Sequence, residues 1–207
     1  MKNVIFSLFV CVNIWSIGAQ NVTLETDSLT TSRTEDLTLF KKLLDSSNTF
    51  YNDGEYTKSL DLNIKILDLA YKLDDPYFIH QGYRYLGYDY MMISDTLLAV
   101  DSFKKSENYA IQSQNDTATA VTYMDLANIY AFKENYKKAL KYHDKSIEYF
   151  KKIKDSVSLA KAHYNTVFTA FEYEDYDKAF RHIVEAKKLM KFAEHKSFAI
   201  GIDNFFG

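Results

Sequence analysis

The five histidines have the most to offer chemistry in this chain, and their spacing argues against it. His80, His143, His163, His182 and His195 include no pair four residues apart around a glutamate. That is the arrangement with which a zinc hydrolase helix grips its metal. His143 and His163 fall where equivalent stretches of the chain carry apolar or aromatic residues, so both read as packed structural side chains. The only cysteine, Cys11, lies in an apolar N-terminal run. Once that run is removed there is no thiol for a disulfide, a thiolate metal site or a nucleophile. Gly54, Gly82, Gly87 and Gly201 are isolated, so no loop cradles a phosphate, and no serine sits in a Gly-x-Ser-x-Gly turn. The densest acidic group, Glu172-Tyr173-Glu174-Asp175, reads as a solvated turn. The expectation is a non-enzymatic chain with no catalytic, metal or cofactor-binding residues.

What these residues are set into is a repeat. Tyr56, Thr96, Tyr136 and Tyr176 recur at a step of 40 residues, each followed three residues later by a small one, Ser59, Ala99, Ala139 or Ala179. Phe50, Tyr90, Tyr130 and Ala170 keep the step upstream, and Asp75, Asn115, Asp155 and His195 keep it in the loops. A fixed period of this length marks stacked helical hairpins, each burying its apolar face on its neighbours. Asp75-Pro76 predicts a helix start, with aspartate as the cap and proline in the first turn. Tyr83, Leu86, Gly87 and Tyr90 then line one face of a first helix, and Leu98, Ala99, Phe103 and Ala110 one face of a second. Tyr56, Leu60, Ile64 and Leu67 are expected to face inward in the least regular, first repeat. Gly87 and Ala99, and again Ala127 and Ala139, lie twelve residues apart on facing helices, where close packing needs a small side chain.

The ends differ from this body. Lys2, the apolar run Val4 to Ile17 and the small residues Gly18-Ala19 have the layout of a secretory signal peptide over 1–19, which predicts export to a periplasmic or extracellular location. Residues 20–34, rich in Ser, Thr and Asn, predict a flexible leader. A net charge of −3 argues against electrostatic capture of nucleic acid. Nothing after residue 20 is apolar for long enough to span a membrane.

Leu86-Gly87-x-x-Tyr90 with Ala99 and Phe103, and Leu126-Ala127-x-x-Tyr130 with Tyr136-x-x-Ala139, resemble the tetratricopeptide repeat. The family period is about 34 residues, and HEAT and armadillo arrays lie nearer 40. The Gly87 to Ala99 spacing favours the tetratricopeptide reading, with the extra residues placed in the second helix and its loop. The resemblance implies an all-α, right-handed superhelical array (α-solenoid) over residues 35–195, with repeats at about 35–74, 75–115, 116–154 and 155–195 and an incomplete fifth at 196–207. It also implies a concave groove lined by first helices, with Tyr51, Arg84, Tyr88, Met91, Met124, Asn128, Phe132, Lys161, Tyr164, Phe168 and Phe171 as candidate binding residues. Arg84 and Lys161 stand where some members clamp a peptide carboxylate. Tyr88, Asp125 and Asn165 replace the clamp's other residues, and Asp125 would repel a carboxylate.

Such a groove suits a protein or peptide ligand, since aromatics give contact area at low entropy cost and Met adapts its shape. Arrays with this period behind a signal peptide resemble the sensory parts of bacterial histidine kinases and transcription regulators, which is the alternative reading. The incomplete last hairpin, with Phe198, Ile200, Phe205 and Phe206, predicts self-association through that end.

Overall fold

The computed structural model describes residues 32–190. The signal peptide at 1–19, most of the leader, His195 and the fifth repeat at 196–207 lie outside the described residues. Eight helices are present among them: α1 (32–52), α2 (Tyr56–Leu73), α3 (Pro76–Met92), α4 (Thr96–Gln112), α5 (Asp116–Phe132), α6 (Tyr136–Lys152), α7 (Ser156–Glu172) and α8 (Tyr176–Met190). They pair as four antiparallel hairpins, α1–α2, α3–α4, α5–α6 and α7–α8, stacked in chain order. The result is an all-α helical-repeat array. No helix among the described residues is long and apolar enough to cross a membrane.

The longer period is not stored where the sequence suggested. Each helix from α3 to α7 has 17 residues, and each connection from α3 onward has three, so first and second helices share the extra length equally. The underlying step is therefore 20 residues. Gly54, Asp74, Ser94, Gln114, Glu134, Lys154 and Glu174 all have φ between 50° and 79°, one at the end of each helix from α1 to α7. The next residue does two jobs. Its backbone N–H closes the finished helix, as Asp95 does on the Tyr90 carbonyl (2.8 Å) and Asn135 on the Tyr130 carbonyl (2.9 Å). Its side chain then caps the new helix: Asp75 accepts from the Tyr77 N–H, Asp95 from Leu98, Asn115 from Ala118, Asp155 from Ser158 and Asp175 from Lys178, at 2.9–3.0 Å. A leader ending at residue 34 is too long by three residues. α1 already includes residues 32–34, and Arg33 donates to the Leu73 carbonyl (2.8 Å) at the negative end of α2.

The core follows the repeat. Ser59, Ala99, Ala139 and Ala179 are 0–3% exposed, and Gly87 and Ala127 are buried opposite them. Across the first hairpin the equivalent close approach is visible as a 3.1 Å contact between the Ser47 and Ser59 hydroxyls. The inward face of α2 differs from the expected one. Ile64 is 44% exposed, while Ile66, Leu69, Ala70 and Leu73 are buried with Phe40 and Ile79. Ser59 and Asn63 hold the inward row, so the apolar stripe runs beside them and a reading that follows only apolar residues mis-phases the helix.

Candidate functional site

First helices approach one another along one side of the stack, α3 with α5 and α5 with α7. The eleven candidate residues occupy this side and meet three different fates.

Arg84 is spent within the chain. Its Nε donates to Asp125 Oδ2 (2.5 Å) and its guanidinium donates to the Tyr88 hydroxyl (2.8 Å), which itself donates to Asp125 Oδ1 (2.5 Å). Burial, and after it the Asp125 charge, raise the Tyr88 hydroxyl well above the ordinary tyrosine range, so it stays a donor. This triad ties α3 to α5 and leaves Arg84 no fork for a peptide carboxylate. The Asn165 side chain donates to Asn128 (3.3 Å) and ties α5 to α7 in the same way. Met91 and Met124 are half-buried and pack on core clusters, Met91 beside Ala127 and Tyr130, Met124 beside Ala120 and Ile147.

The second group is open. Phe132 is 66% exposed and Phe168 and Phe171 are each 49% exposed. Tyr164 supports Phe168 edge-on (4.9 Å between ring centroids), and Tyr176 supports Phe171 (5.3 Å). Lys161 is exposed on the same helix. Aromatic side chains held by their neighbours, with much of their surface in water, are suited to a partner's apolar side chains.

Tyr51 belongs to a third group, whose members Asp89 and Asn63 sequence reasoning missed. It stands 6.5 Å from Tyr88, ring to ring, at the wall of a pocket of about 340 Å³ where α1, α2 and α3 meet. Asp89 forms the floor and is 0% exposed. Its Oδ2 accepts from Asn63 (2.6 Å), and Asn63 accepts from the Ser47 hydroxyl (2.8 Å). Asp89 Oδ1 has no donor among the described residues. Burial raises the Asp89 pKa, and the Asn63 hydrogen bond and the nearby Ser59 hydroxyl lower it in part. A signal for this site exists in the sequence. Asp89 stands where later repeats have Ile129 and Thr169, and Asn63 where they have Phe103, His143 and Ile183, all of them buried.

His143 is fully buried, with one ring nitrogen 3.1 Å from the Thr169 hydroxyl, which is the packed role expected of it. His163 and His182 meet Nδ1 to Nδ1 at 2.9 Å, so one donates and the other accepts. Burial, followed by neighbouring positive charge, lowers both to about 4, so the pair is neutral near pH 7. Among the described residues no three His, Cys, Asp or Glu side chains are grouped to hold a metal ion.

The comparisons agree with this fold. A tetratricopeptide repeat family model matches residues 116–191. No curated protein matches the chain. Among solved structures, BtubC (BKLC) from P. vanneervenii is similar at 16% identity and a TM-score of 0.69, over 75% of this chain and 64% of that one. Aspartyl phosphate phosphatase F from Bacillus subtilis is similar at 13% identity and 0.74, over 79% of this chain and 43% of that one. A signal transduction ATPase with a tetratricopeptide repeat sensor from Pyrococcus horikoshii is similar at 18% and 0.65, over 81% of this chain and 27% of that one. The chain thus spans less than two thirds of the length of each. Residues 116–191 match the tetratricopeptide repeat family model, and the described residues have the fold of a helical-repeat array similar to these proteins.

Proposed function

We propose that this chain is a non-enzymatic scaffold that binds a protein or peptide along its concave face. The observation that carries the reading is the exposed aromatic group Phe132, Phe168 and Phe171 on the first helices α5 and α7. Helical-repeat arrays offer extended concave surfaces to partners, and an apolar cluster of this kind is the sort of centre at which binding energy concentrates. The layout of residues 1–19 supports export, and the composition of the last residues supports self-association. The sensor reading, in which the array reports to an output domain, draws support from the similar array that serves as a sensor in the Pyrococcus horikoshii ATPase.

A displayed peptide library selected against the full chain tests the groove. Peptides recovered should lose at least tenfold in affinity for a Phe132→Ala, Phe168→Ala, Phe171→Ala triple variant whose melting temperature stays near wild type. Retained affinity would move the site elsewhere. N-terminal sequencing of the chain recovered from its own cell should begin at Gln20, and a retained Met1 would contradict export by cleavage. Light scattering that shows a monomer at high concentration would refute self-association.

A further inference from the structure

The pocket over Asp89 is the first-repeat section of the same groove. Asn48, Tyr51 and Asn52 occupy the positions that later repeats fill with Phe168, Phe171 and Phe132. At this end the groove therefore changes character, from open aromatics to a walled recess with a carboxylate beneath it.

Three features define what the recess accepts. Its floor is a buried carboxylate with one oxygen engaged by Asn63 and the other without a donor. No lysine, arginine or histidine lines it, and Arg84, the nearest cation in sequence, is held by Asp125 and Tyr88. Its walls include Tyr51 and Tyr85, whose ring faces attract cations, while the Tyr88 ring already has the Arg84 guanidinium over it at 5.2 Å. A buried carboxylate oxygen without a donor is costly unless the group is neutralised or paired. A ligand that brings both a positive charge and an N–H recovers that. Guanidinium is the poorer choice, because its two-pronged pairing needs both carboxylate oxygens and Asn63 already has one. A compact ammonium needs only the free oxygen, and Asn48, Asn52 and the Tyr51 hydroxyl supply acceptors for its remaining hydrogens.

We propose that this recess binds a primary ammonium at the end of an alkyl chain, from a lysine of a bound peptide or from a free alkylamine, with Asp89 Oδ1 as its acceptor. The peptide source rests on the groove reading above, and the free-amine source does not. The recess then acts as a specificity pocket at one end of the array, selecting a basic residue in register with apolar residues that meet Phe132 and Phe168.

The probes are N-acetyl-lysine methylamide, its norleucine and arginine counterparts, and n-butylamine, titrated into the full chain and followed by NMR of the tyrosine rings. The lysine probe should bind in the millimolar range, about −4 kcal/mol. It should bind at least tenfold more tightly than the norleucine and arginine probes. Asp89→Asn keeps an acceptor for Asn63 and should lose at least tenfold in lysine affinity without melting earlier. As a second variant, Asn48→Lys at the exposed mouth should fill the recess from within the chain and block the probe. Equal binding of norleucine, or undiminished lysine binding by either variant, overturns the proposal. If a lysine-containing peptide binds more than tenfold better than n-butylamine and weakens with Phe168→Ala, the source is a peptide. Equal affinity assigns the site to a free amine. Library peptides that bind through the aromatic group while no ammonium probe binds would sink the recess and leave the scaffold reading standing.

Discussion

Replacing Gly87 by alanine adds one carbon atom where the structure has no room for it. A Cβ on Gly87 would lie 2.7, 2.8 and 2.8 Å from Cε1, Cδ1 and Cζ of Phe103. Comfortable carbon–carbon contact is about 3.5–4.0 Å, so the ring would have to retreat by the better part of an ångström. It has nowhere to go. Phe103 is 1% exposed, Tyr88 meets it edge-on at 5.4 Å, and Ala99, Leu126 and Tyr130 belong to the same cluster. Overpacking of this kind costs about 1–3 kcal/mol, and the better helix propensity of alanine returns about 0.5–1 kcal/mol. A net loss of about 1–2 kcal/mol follows, a fall of several degrees in Tm for an array this size. The first and last hairpins show the rule at work: Ser47 meets Asn63, and Val167 packs in the same cluster as Ile183. The smallest residue in the row thus faces the largest. Phe103→Ile should therefore relieve Gly87→Ala, and the double variant should be at least 1 kcal/mol more stable than the two single losses added together. Urea unfolding of the four proteins measures this. A Gly87→Ala chain as stable as wild type, or strict additivity in the double variant, would refute the packing argument.

Ala139→Leu should cost about 1–3 kcal/mol in the same assay, because Ala139 is 0% exposed in the cluster with Tyr130 and Tyr142. Stability should also fall with acid. Burial first, with nearby cations adding to it, lowers His80 to about 4 and His143 to about 3, against 6.5 in the unfolded chain. Between those limits the unfolded chain binds protons that the folded chain refuses. The loss therefore begins near pH 6.5 and deepens towards pH 4, by about 3 kcal/mol for each such histidine. Unfolding at pH 7 and pH 4.5 should show it, and a His143→Gln chain should lose less; an identical loss in both proteins would remove His143 from the account. Glu134→Gly should gain about 0.5–1 kcal/mol, since Glu134 holds a φ of 57° that glycine adopts without strain. A lower Tm would contradict that.

The repeat was legible because it rests on residue size and on caps, both of which are local. Ala99, Ala139 and Ala179 announce close helix crossings, and Asp75, Asp95, Asn115, Asn135, Asp155 and Asp175 announce helix starts every 20 residues. The helix ends were harder to see, since six of the seven left-handed positions lack the glycine that usually marks them. Their consistent spacing shows that hairpin packing sets the turn and overrides the local preference of Ser94, Glu134 or Lys154.

What the groove residues do was not legible, for a reason of distance. Arg84 meets Asp125 across 41 residues and Asn128 meets Asn165 across 37, so each pairing depends on how one hairpin stacks on the next. A single-repeat reading cannot say that these side chains hold one another. The same stacking makes sense of the buried polar positions. Asn63 with Asp89 and His143 with Thr169 are equivalent pairs two repeats apart, and both are hydrogen-bonded across a junction between hairpins. At the junction between them the same positions hold Phe103 and Ile129, which share the apolar cluster. At this pair of positions polar and apolar residues thus alternate, while the middle junction keeps its own buried polar contacts among His80, Ser106 and Thr122. A slip of one repeat would set Asp89 against Phe103, or His143 against Ile129, at a cost of about 1–3 kcal/mol for each buried group left unpaired. Each of these polar junctions leaves one buried atom without a hydrogen-bond partner, Asp89 Oδ1 at one and His143 Nδ1 at the other, and only at Asp89 does that atom belong to an acid. A group needed only for stacking would gain nothing from that charge, and the Thr169 hydroxyl, which meets His143 without one, shows what a purely structural solution at this position looks like.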